Sequence, residues 1–528
     1  MSKKSPYYYE PQVRARNFEL SVDLVVYGAT SGGVSAAVHA ARRGKKVVLL
    51  AFGHHVGGLT SAGLGRTDYG RRDAYGGLAL EFYRRVGEYY GEKEAWYFEP
   101  SVASKVFRDL MQESNLQFFQ HQALSGVIKE GGRLVALKTE AGGCFRAAMF
   151  IDASYEGDLM AAAGVSFTVG RESNEQYGEQ FNGIHFGHPN HNFRVFVDPY
   201  RTPGKPSSGL LPNIQDVAPG RQGEGDSCVQ AYNFRMCLSR NPANRIAFAC
   251  PPDYEPENYS LLARYLEAGI WDALRLSHWL RPEKPDKSDT NNFGGFSSDY
   301  IGMNHAWPTA SYVEREKIFQ QHVRYTMGLH YFLHNDPRVP EDIRQEVSVL
   351  GLPADEFPET GGWPPELYVR EARRMVGDYV MTEQECVGQR SVPDPVGLGA
   401  YQMDSHHCRR LALHGRVVNE GNVEIWVAKP YGISYRSVIP KRAECENLLV
   451  PWCLSASHIA FGSIRMEPVF MTLAQSCAEA ACLALELGQA VQDLSYEKLK
   501  SALLLHQIPL SWKGPSRLVH GGLDHTKS

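Results

Sequence analysis

The sequence predicts an α/β fold, in which a parallel sheet carrying an antiparallel meander is interrupted by an inserted α+β domain. A buried strand, an Ala-rich helix and a second buried strand follow one another within residues 23–50. Glycine turns separate three β-prone runs within 123–151, and an apolar strand and helix return at 446–487. Because parallel strands need a crossover and the helix supplies it, these observations indicate a doubly covered sheet.

The first unit begins with Leu24–Tyr27, a short apolar run typical of a strand covered on both faces. Gly32–Arg43 is rich in alanine and predicts a helix that ends at Gly44. Val47–Leu50 predicts the second buried strand. The unit is therefore β-α-β, with a right-handed crossover expected.

A glycine-rich loop, Gly28–Gly33, joins the first strand to the helix and keeps two of the three glycines of G-x-G-x-x-G, with Thr30 at the second. Glycines let backbone N–H groups approach a pyrophosphate, which the helix N-terminus also attracts. The loop thus predicts a Rossmann-like, dinucleotide-binding unit. An acid that usually ends the second strand is replaced by Ala51, and His54 or His55 is the nearest substitute for holding the ribose.

The meander is predicted at Ala123–Ile128, Arg133–Thr139 and Cys144–Ile151, which leads into an apolar strand ending at Ala153. From about Arg171 the chain becomes aromatic and broken by prolines. Four segments follow from this reading, namely 20–170 (first part of the nucleotide domain), 171–430 (inserted substrate or cap domain), 431–490 (return of the nucleotide domain) and 491–528 (C-terminal tail).

Within the inserted part, helices are predicted at Tyr312–Leu333 and Leu367–Thr382. In the second of these, Arg370, Arg373 and Arg374 would share one helical face that could meet an anionic substrate. In the return segment, Glu446–Val450 predicts a strand. A helix is predicted there from Glu467, with Pro468 in its first turn, to Leu487.

The composition restricts the function classes. With 55 basic and 59 acidic side chains among 528 residues, the net charge of −4 argues against a basic nucleic-acid or membrane binder. The start of the chain lacks the apolar core of a secretory signal. Ten cysteines form no C-x-x-C pair, so neither a zinc site nor a dithiol centre is indicated. We expect a cytoplasmic protein without nucleic-acid or membrane partners.

Several longer stretches make the chain resemble a known group. They are Gly57-Gly58, Thr60–Gly65, Ile151–Asp158, Arg370–Asp378, Ser434–Lys441 and Ser455–Pro468. The chain resembles the FAD-dependent oxidoreductases with the glutathione-reductase type of two-dinucleotide-binding fold, and within them a sparsely characterised bacterial branch. The likeness covers Asp23 to Leu487 and implies redox chemistry with non-covalent FAD.

The resemblance also implies positions for the cofactor. The residues expected at the pyrophosphate are Gly28, Thr30, Ser31, Gly32 and Gly33. Those expected at the ribityl chain or elsewhere along FAD are His55, Gly57, Gly58, Asp152, Gly157, Asp158, Ser463 and Met466.

Candidates for the chemistry lie near the return segment. The helix from Glu467 would aim its N-terminus at the flavin, with Arg465 adding a charge or pairing with an acid. Histidine is the usual proton acceptor near neutral pH, and the candidates are His458, His406 and His407. Tyr435 and Arg436 would either orient the substrate or serve as a packed aromatic and a paired arginine.

These observations favour an oxidoreductase acting on a small hydroxylated, sugar-like or amino substrate, with its electron acceptor left open. The polar loops 289–299 and 304–307 carry aromatic residues that suit a polyhydroxylated ligand. The alternatives are a flavoprotein lyase or isomerase, and a tRNA-modifying or interaction protein. His185, His188 and His191 lie in a Gly- and Pro-containing loop, so no metal is predicted.

Overall fold

A computed structural model describes residues 6–12, 17–274, 277–284 and 286–516. Its largest element is a seven-stranded sheet with the order β3-β2-β1-β6-β5-β4, in which β20 also pairs with β6. The strands are β1 (Phe18–Tyr27), β2 (Val47–Leu50), β3 (Gln117–Phe119), β4 (Leu124–Glu130), β5 (Arg133–Thr139), β6 (Gly143–Asp152) and β20 (Leu448–Leu449). β1, β2, β3, β6 and β20 are parallel, whereas β4 and β5 form the antiparallel meander.

This sheet confirms the predicted fold class, the β-α-β start and the meander. The register Val26↔Leu49 and Val26↔Ile151 places the ends of β1, β2 and β6 at one edge, where ligands of open α/β sheets bind. The return strand is shorter than expected, with two residues paired to Phe150 and Ile151.

Twelve α-helices lie in the part of the chain that the structure describes. They are α1 (Ser31–Arg42), α2 (Gly77–Tyr89), α3 (Pro100–Glu113), α4 (Asp158–Ala162), α5 (Asn174–Tyr177), α6 (Ser260–Glu267), α7 (Tyr312–Asn335), α8 (Glu341–Ser348), α9 (Glu383–Cys386), α10 (His458–Ile464), α11 (Glu467–Leu487) and α12 (Tyr496–Leu505). The predictions for α1, α7 and α11 are confirmed, and α11 has the predicted ends at Glu467 and Leu487.

Helix α11 packs along α1 and is buried over most of its length. Among the described residues it alone is long and apolar enough to cross a membrane, but 89% of its apolar window is buried inside the protein. We therefore describe it as a core helix.

Between β6 and β20 the chain contains short strands arranged in small sheets. β8, β10 and β11 form a three-stranded sheet, and the pairs β9–β12, β7–β13, β14–β19, β15–β18 and β16–β17 are antiparallel. Their bounds are β7 (Phe167–Thr168), β8 (Met236–Ser239), β9 (Arg245–Ile246), β10 (Ser277–Trp279), β11 (Lys287–Thr290), β12 (Leu352–Pro353), β13 (Arg374–Met375), β14 (Pro395–Gly399), β15 (Met403–Ser405), β16 (Arg409–Leu413), β17 (Arg416–Glu420), β18 (Val423–Ile425) and β19 (Tyr431–Ser434).

A second, smaller hydrophobic core lies among α6, α7 and α8 in this inserted part. Other inserted residues, such as Trp307 and Tyr368, belong to the main core instead. The boundaries 171 and 430 stay a prediction.

The predicted helix over Leu367–Thr382 is wrong. Its backbone is extended and includes β13, which pairs with β7. The arginines that suggested a helical face are buried and donate to distant backbone oxygens, Arg370 to Ala231 and Arg374 to Ala456 at 2.7 Å. These tertiary hydrogen bonds override the local helical spacing.

Candidate active site

A cavity at the edge where β1, β2 and β6 end has about 890 Å³ of empty space, and we call it cavity A. Its walls come from the nucleotide loop, the end of β2, the turn 154–158 after β6, Trp307 and the segment 365–369.

The glycines of the nucleotide loop have different roles. Gly28 lines cavity A and has a left-handed φ of +104°, and a Cβ there would lie 2.6 Å from the Ala153 oxygen. A Cβ on Gly33 would lie 1.8 Å from the Gly28 oxygen, and one on Gly32 would lie 2.4 Å from the Phe470 ring. Gly32 and Gly33 therefore allow α1 to pack closely on the sheet and on α11.

Thr30 lines cavity A and caps α1. Its hydroxyl accepts a hydrogen bond from the Gly33 amide at 3.1 Å and donates to the Ala153 oxygen at 2.8 Å. The helix amides that follow have no intrahelical acceptor and can meet an anion. Thr30, which stands in place of the second glycine of the motif, thus supplies the N-cap of α1.

The glycine doublet lies directly against this loop. Thr30 and Gly57 form a parallel bridge, and a Cβ on Gly58 would lie 2.2 Å from the Tyr155 hydroxyl oxygen. His55 lines cavity A, and its Nε2 lies 3.2 Å from the Gly58 oxygen and 3.0 Å from the Ser61 hydroxyl. Burial lowers the pKa of His55 to about 3, so its ring is neutral.

Glu467 is buried and accepts hydrogen bonds from three separate segments, which the sequence did not predict. Its carboxylate accepts hydrogen bonds from Ser31 at 2.5 Å, Thr60 at 2.6 Å and Tyr155 at 3.0 Å. Burial raises its pKa, while these donors oppose the rise. The first residue of α11 thus joins the nucleotide loop, the turn after the glycine doublet and the turn after β6.

Two aspartates at the turn after β6, Asp152 and Asp158, have different kinds of partner. Asp152 accepts from the Ser154 amide at 3.0 Å and the Met160 amide at 2.7 Å, and burial raises its pKa to about 6. Asp158 lines cavity A and pairs with Arg315 and Arg373, each at 2.7 Å. Gly157 between them has a φ of +70°.

Two more carboxyl groups face cavity A. Glu156 accepts from the Trp307 indole at 3.3 Å, and burial raises its pKa to about 7. Burial, with Glu156 and Glu467 nearby, raises the pKa of Glu366 to about 8. Glu156 belongs to the stretch Ile151–Asp158, which the resemblance places at the cofactor, whereas Glu366 was not predicted because it reaches the cavity only through the tertiary fold.

A second cavity, cavity B, has about 980 Å³ of empty space and is lined mainly by polar side chains. The segment 365–369 separates the two cavities, since Leu367 and Val369 line cavity A whereas Tyr368 lines cavity B. Cavity B also contains His406, Arg235 and Asp404.

His406 is the only histidine among the three predicted proton acceptors that lines either described cavity. Its Nδ1 lies 3.0 Å from Asp299 Oδ2, and its Nε2 lies 3.5 Å from Asp404 Oδ2. With Nδ1 donating to Asp299, Nε2 is left to accept a proton from the cavity.

Arg465 lies beside the same group. It donates to Asp404 Oδ2 at 2.9 Å and to the Tyr368 hydroxyl at 3.2 Å, so it pairs with Asp404 rather than Glu467. Burial opposes ionisation of Asp404, but His406 and Arg465 hold its pKa well below the usual range.

Arg235 forms another part of the wall of cavity B. Its Nε donates to Asp289 at 3.0 Å, while its buried Nη1 makes no hydrogen bond within the described residues. A carboxylate oxygen of Asp68 lies 4.0 Å from Nη1.

The remaining candidates for the chemistry line neither cavity A nor cavity B; they are His458, His407, Tyr435 and Arg436. The His458 ring forms hydrogen bonds with Glu371 at 2.7 Å and Ser405 at 3.0 Å. Burial lowers the pKa of His407 to about 3. Tyr435 donates to the Val491 oxygen at 2.8 Å, and Arg436 pairs with Asp394 at 3.0 Å.

Two predicted cofactor residues are buried beside α11. The Ser463 hydroxyl accepts from Tyr431 at 2.8 Å and donates to the Tyr401 oxygen at 2.6 Å. Met466 is the N-cap residue of α11 and is 2% exposed. Neither lines cavity A or B as described.

Among the described residues, three potential metal ligands come together away from both cavities. They belong to His39, Glu479 and His506, and the ligand atoms lie within 4.8 Å of one another. Glu479 also accepts from Arg43 at 2.9 Å, so the group is stabilised as it stands by ion pairs.

Cavity A fits FAD. The left-handed Gly28 lines it without a Cβ, the N-terminus of α1 begins beside it at Thr30 and suits a pyrophosphate, and Phe52 and Trp307 give aromatic walls. The residues that would hold the cofactor are Gly28, Ala29, Thr30, His55 and Glu366.

A family model described as FAD dependent oxidoreductase matches residues 23–503. No curated protein matches the chain. Similar solved structures include L-proline dehydrogenase from P. horikoshii (15% identity, 30% of this chain and 59% of that chain, TM-score 0.24). Others are L-amino acid deaminase from Proteus vulgaris (15%, 34% and 57%, 0.24) and thioredoxin reductase from T. acidophilum (23%, 25% and 38%, 0.17). This chain covers less than two thirds of each.

Proposed function

Because the chain belongs to the FAD-dependent oxidoreductase family, we propose that it oxidises a small polyhydroxylated or amino substrate bound in cavity B. The observation that carries this proposal is a polar cavity with a histidine between two carboxylates, separated from cavity A by one segment of chain. FAD held in cavity A would supply the two-electron oxidant, that is, the hydride acceptor for the substrate.

His406 accepts the proton that leaves the substrate hydroxyl or amine. Asp299 orients the ring through Nδ1, and Nε2 receives the proton. The charge that develops on the ring is then stabilised by Asp404, whose oxygen lies 3.5 Å from Nε2. Two carboxylates thus support one proton acceptor.

The walls of cavity B suit a ligand with several hydroxyl groups. Arg235 offers an unused N–H, Asn292 and Gln402 offer both donors and acceptors, and Tyr368 and Tyr401 present rings. Mixed polar groups beside aromatic faces favour a sugar-like molecule over a purely apolar one.

An anaerobic substrate screen tests this proposal. Purified FAD-loaded protein is mixed with sugars, polyols, sugar acids and amines without oxygen, and the flavin absorbance is followed. A substrate of the proposed class should bleach it persistently, and adding oxygen, a quinone or a nicotinamide should then identify the electron acceptor. Consumption of a substrate without persistent bleaching would contradict net oxidation and indicate a lyase or isomerase.

The cellular setting is part of the same proposal. We propose that the protein works in the cytoplasm on a small molecule, without a nucleic-acid or membrane partner. The near balance of 55 basic and 59 acidic side chains supports this view.

A further inference from the structure

An N-terminal segment, residues 6–12, lies against cavity A. Tyr7 and Tyr8 line the cavity together with Phe52 from the end of β2. The Tyr8 ring stacks on Phe52 with centroids 4.7 Å apart and meets Trp307 edge to face, also at 4.7 Å, and Phe319 lies 6.3 Å away. A wall of aromatic rings therefore closes this end of the cavity.

The segment is held in place by specific hydrogen bonds. The amides of Tyr8 and Tyr9 donate to Glu316 Oε2 at 2.7 and 2.8 Å. Gln320 donates to the Pro6 oxygen at 2.8 Å, and the Tyr9 hydroxyl donates to Glu140 at 2.7 Å. Fixing each residue costs conformational entropy, and these four hydrogen bonds offset part of that cost for the segment 6–12, which we call the strap.

We propose that this segment completes the adenosine end of the FAD site, with the Tyr8 ring as a wall against adenine. In dinucleotide-binding folds the adenosine half lies at the end of the second strand, and here Ala51 replaces the usual acid. An aromatic face offers stacking where the ribose contact is missing. The strap lies outside residues 23–503, the range that the family model matches.

The test measures binding of FAD and of its two halves, ADP and FMN, to protein stripped of flavin. Tyr8→Ala should bind FAD and ADP roughly ten- to hundred-fold more weakly, as expected for loss of one stacking contact, and FMN unchanged. Glu316→Ala removes the acceptor of the Tyr8 and Tyr9 amides and leaves every side chain that lines cavity A unchanged, so it should act in the same direction. Tyr89→Ala, at a tyrosine 59% exposed on α2, is the matched control and should change nothing.

Three results would overturn the proposal. In variants that melt like the native protein, FAD and ADP affinities could stay the same, FMN could weaken as much as ADP, or ADP could bind more tightly. The last result would mean that Tyr8 occupies the adenine position. If Tyr8→Ala does not fold, the Glu316→Ala affinities decide. The measurement needs no substrate, so failure of the proposed oxidation would leave its outcome unaffected.

Discussion

His406 is the single residue on which the proposed chemistry depends most. We expect His406→Gln to lower kcat by roughly 10²–10⁴-fold, because glutamine cannot accept the substrate proton. The FAD dissociation constant should stay the same, since His406 does not line cavity A. Steady-state kinetics and flavin titration check both statements.

His458 is the natural comparison for His406. Its two ring nitrogens already bond Glu371 and Ser405, so His458→Gln should lower the melting temperature rather than the kcat of the folded protein. A large loss of kcat with unchanged stability would instead make His458 the proton acceptor.

Glu366 gives a prediction about pH. Its pKa is raised to about 8, so the folded state holds this proton more tightly than the unfolded state does. Its stabilising contribution is complete below the unfolded pKa and is lost as the pH rises through about 8. Glu366→Gln should therefore exceed the native protein in unfolding free energy at pH 9, by roughly 1 kcal/mol or more, with little difference at pH 4.

Urea unfolding of flavin-free protein at the two pH values measures this. Glu359→Gln, at an exposed position nearby, is the control and should show no pH-dependent difference. Equal effects of Glu366→Gln at pH 4 and pH 9 would show that burial does not control this carboxyl group.

At the scale of elements, the start of α1 explains why Thr30 replaces a glycine. Thr30→Gly would restore the common motif but remove the cap on the Gly33 amide. We expect a loss of up to about 1 kcal/mol in unfolding free energy, with FAD still bound. Thr30→Ser keeps the hydroxyl and should stay close to the native protein, and thermal melts with flavin titration would show a different order if Thr30 has no capping role.

The turns at the two ends of α1 offer a matched pair of glycines, Gly28 before the helix and Gly44 after it. Gly28 and Gly44 both have left-handed φ angles, +104° and +76°, but only at Gly28 would a Cβ meet backbone atoms. Gly44→Ala should cost roughly 1–2 kcal/mol through backbone strain alone. Gly28→Ala should cost more and abolish FAD binding, which an intact yellow Gly28→Ala protein would contradict.

Strong local patterns predicted the elements around the nucleotide loop well. The ends of α11 followed from Glu467-Pro468 and Gly488, and β2 from its apolar run. The helix prediction for residues 367–382 failed because two of its arginines donate to backbone oxygens far along the chain. The spacing of residues within one segment cannot reveal such hydrogen bonds. Local signals predict an element when its own residues stabilise it.

The fold class of the whole molecule could be predicted from the sequence, but the residues that line its cavities could not. The β-α-β start and the resemblance indicated the fold and FAD. Glu467, Glu366 and Tyr8 were missed because each acquires its position from elements distant in sequence. The contacts of His406 with Asp299 and Asp404 in cavity B were missed for the same reason. They depend on strands that are too short to give a periodic pattern in the sequence.

The cysteines provide a prediction for the molecule as a whole. All ten are free, and Cys250 is exposed while Cys144 and Cys228 are partly buried. A thiol reagent such as DTNB should label Cys250 quickly in the native protein, the other two more slowly, and all ten after denaturation. Rapid labelling of a buried cysteine such as Cys477 would show that the core opens easily.

The segment 365–369 is a wall common to the two cavities. We expect a molecule that fills one cavity to order the backbone that shapes the other, and a coupling of this kind acts equally in both directions. We expect chains without flavin to hold substrate poorly. Bound substrate would in turn slow the escape of flavin, so the time for which a chain keeps its cofactor would depend on how much substrate is present.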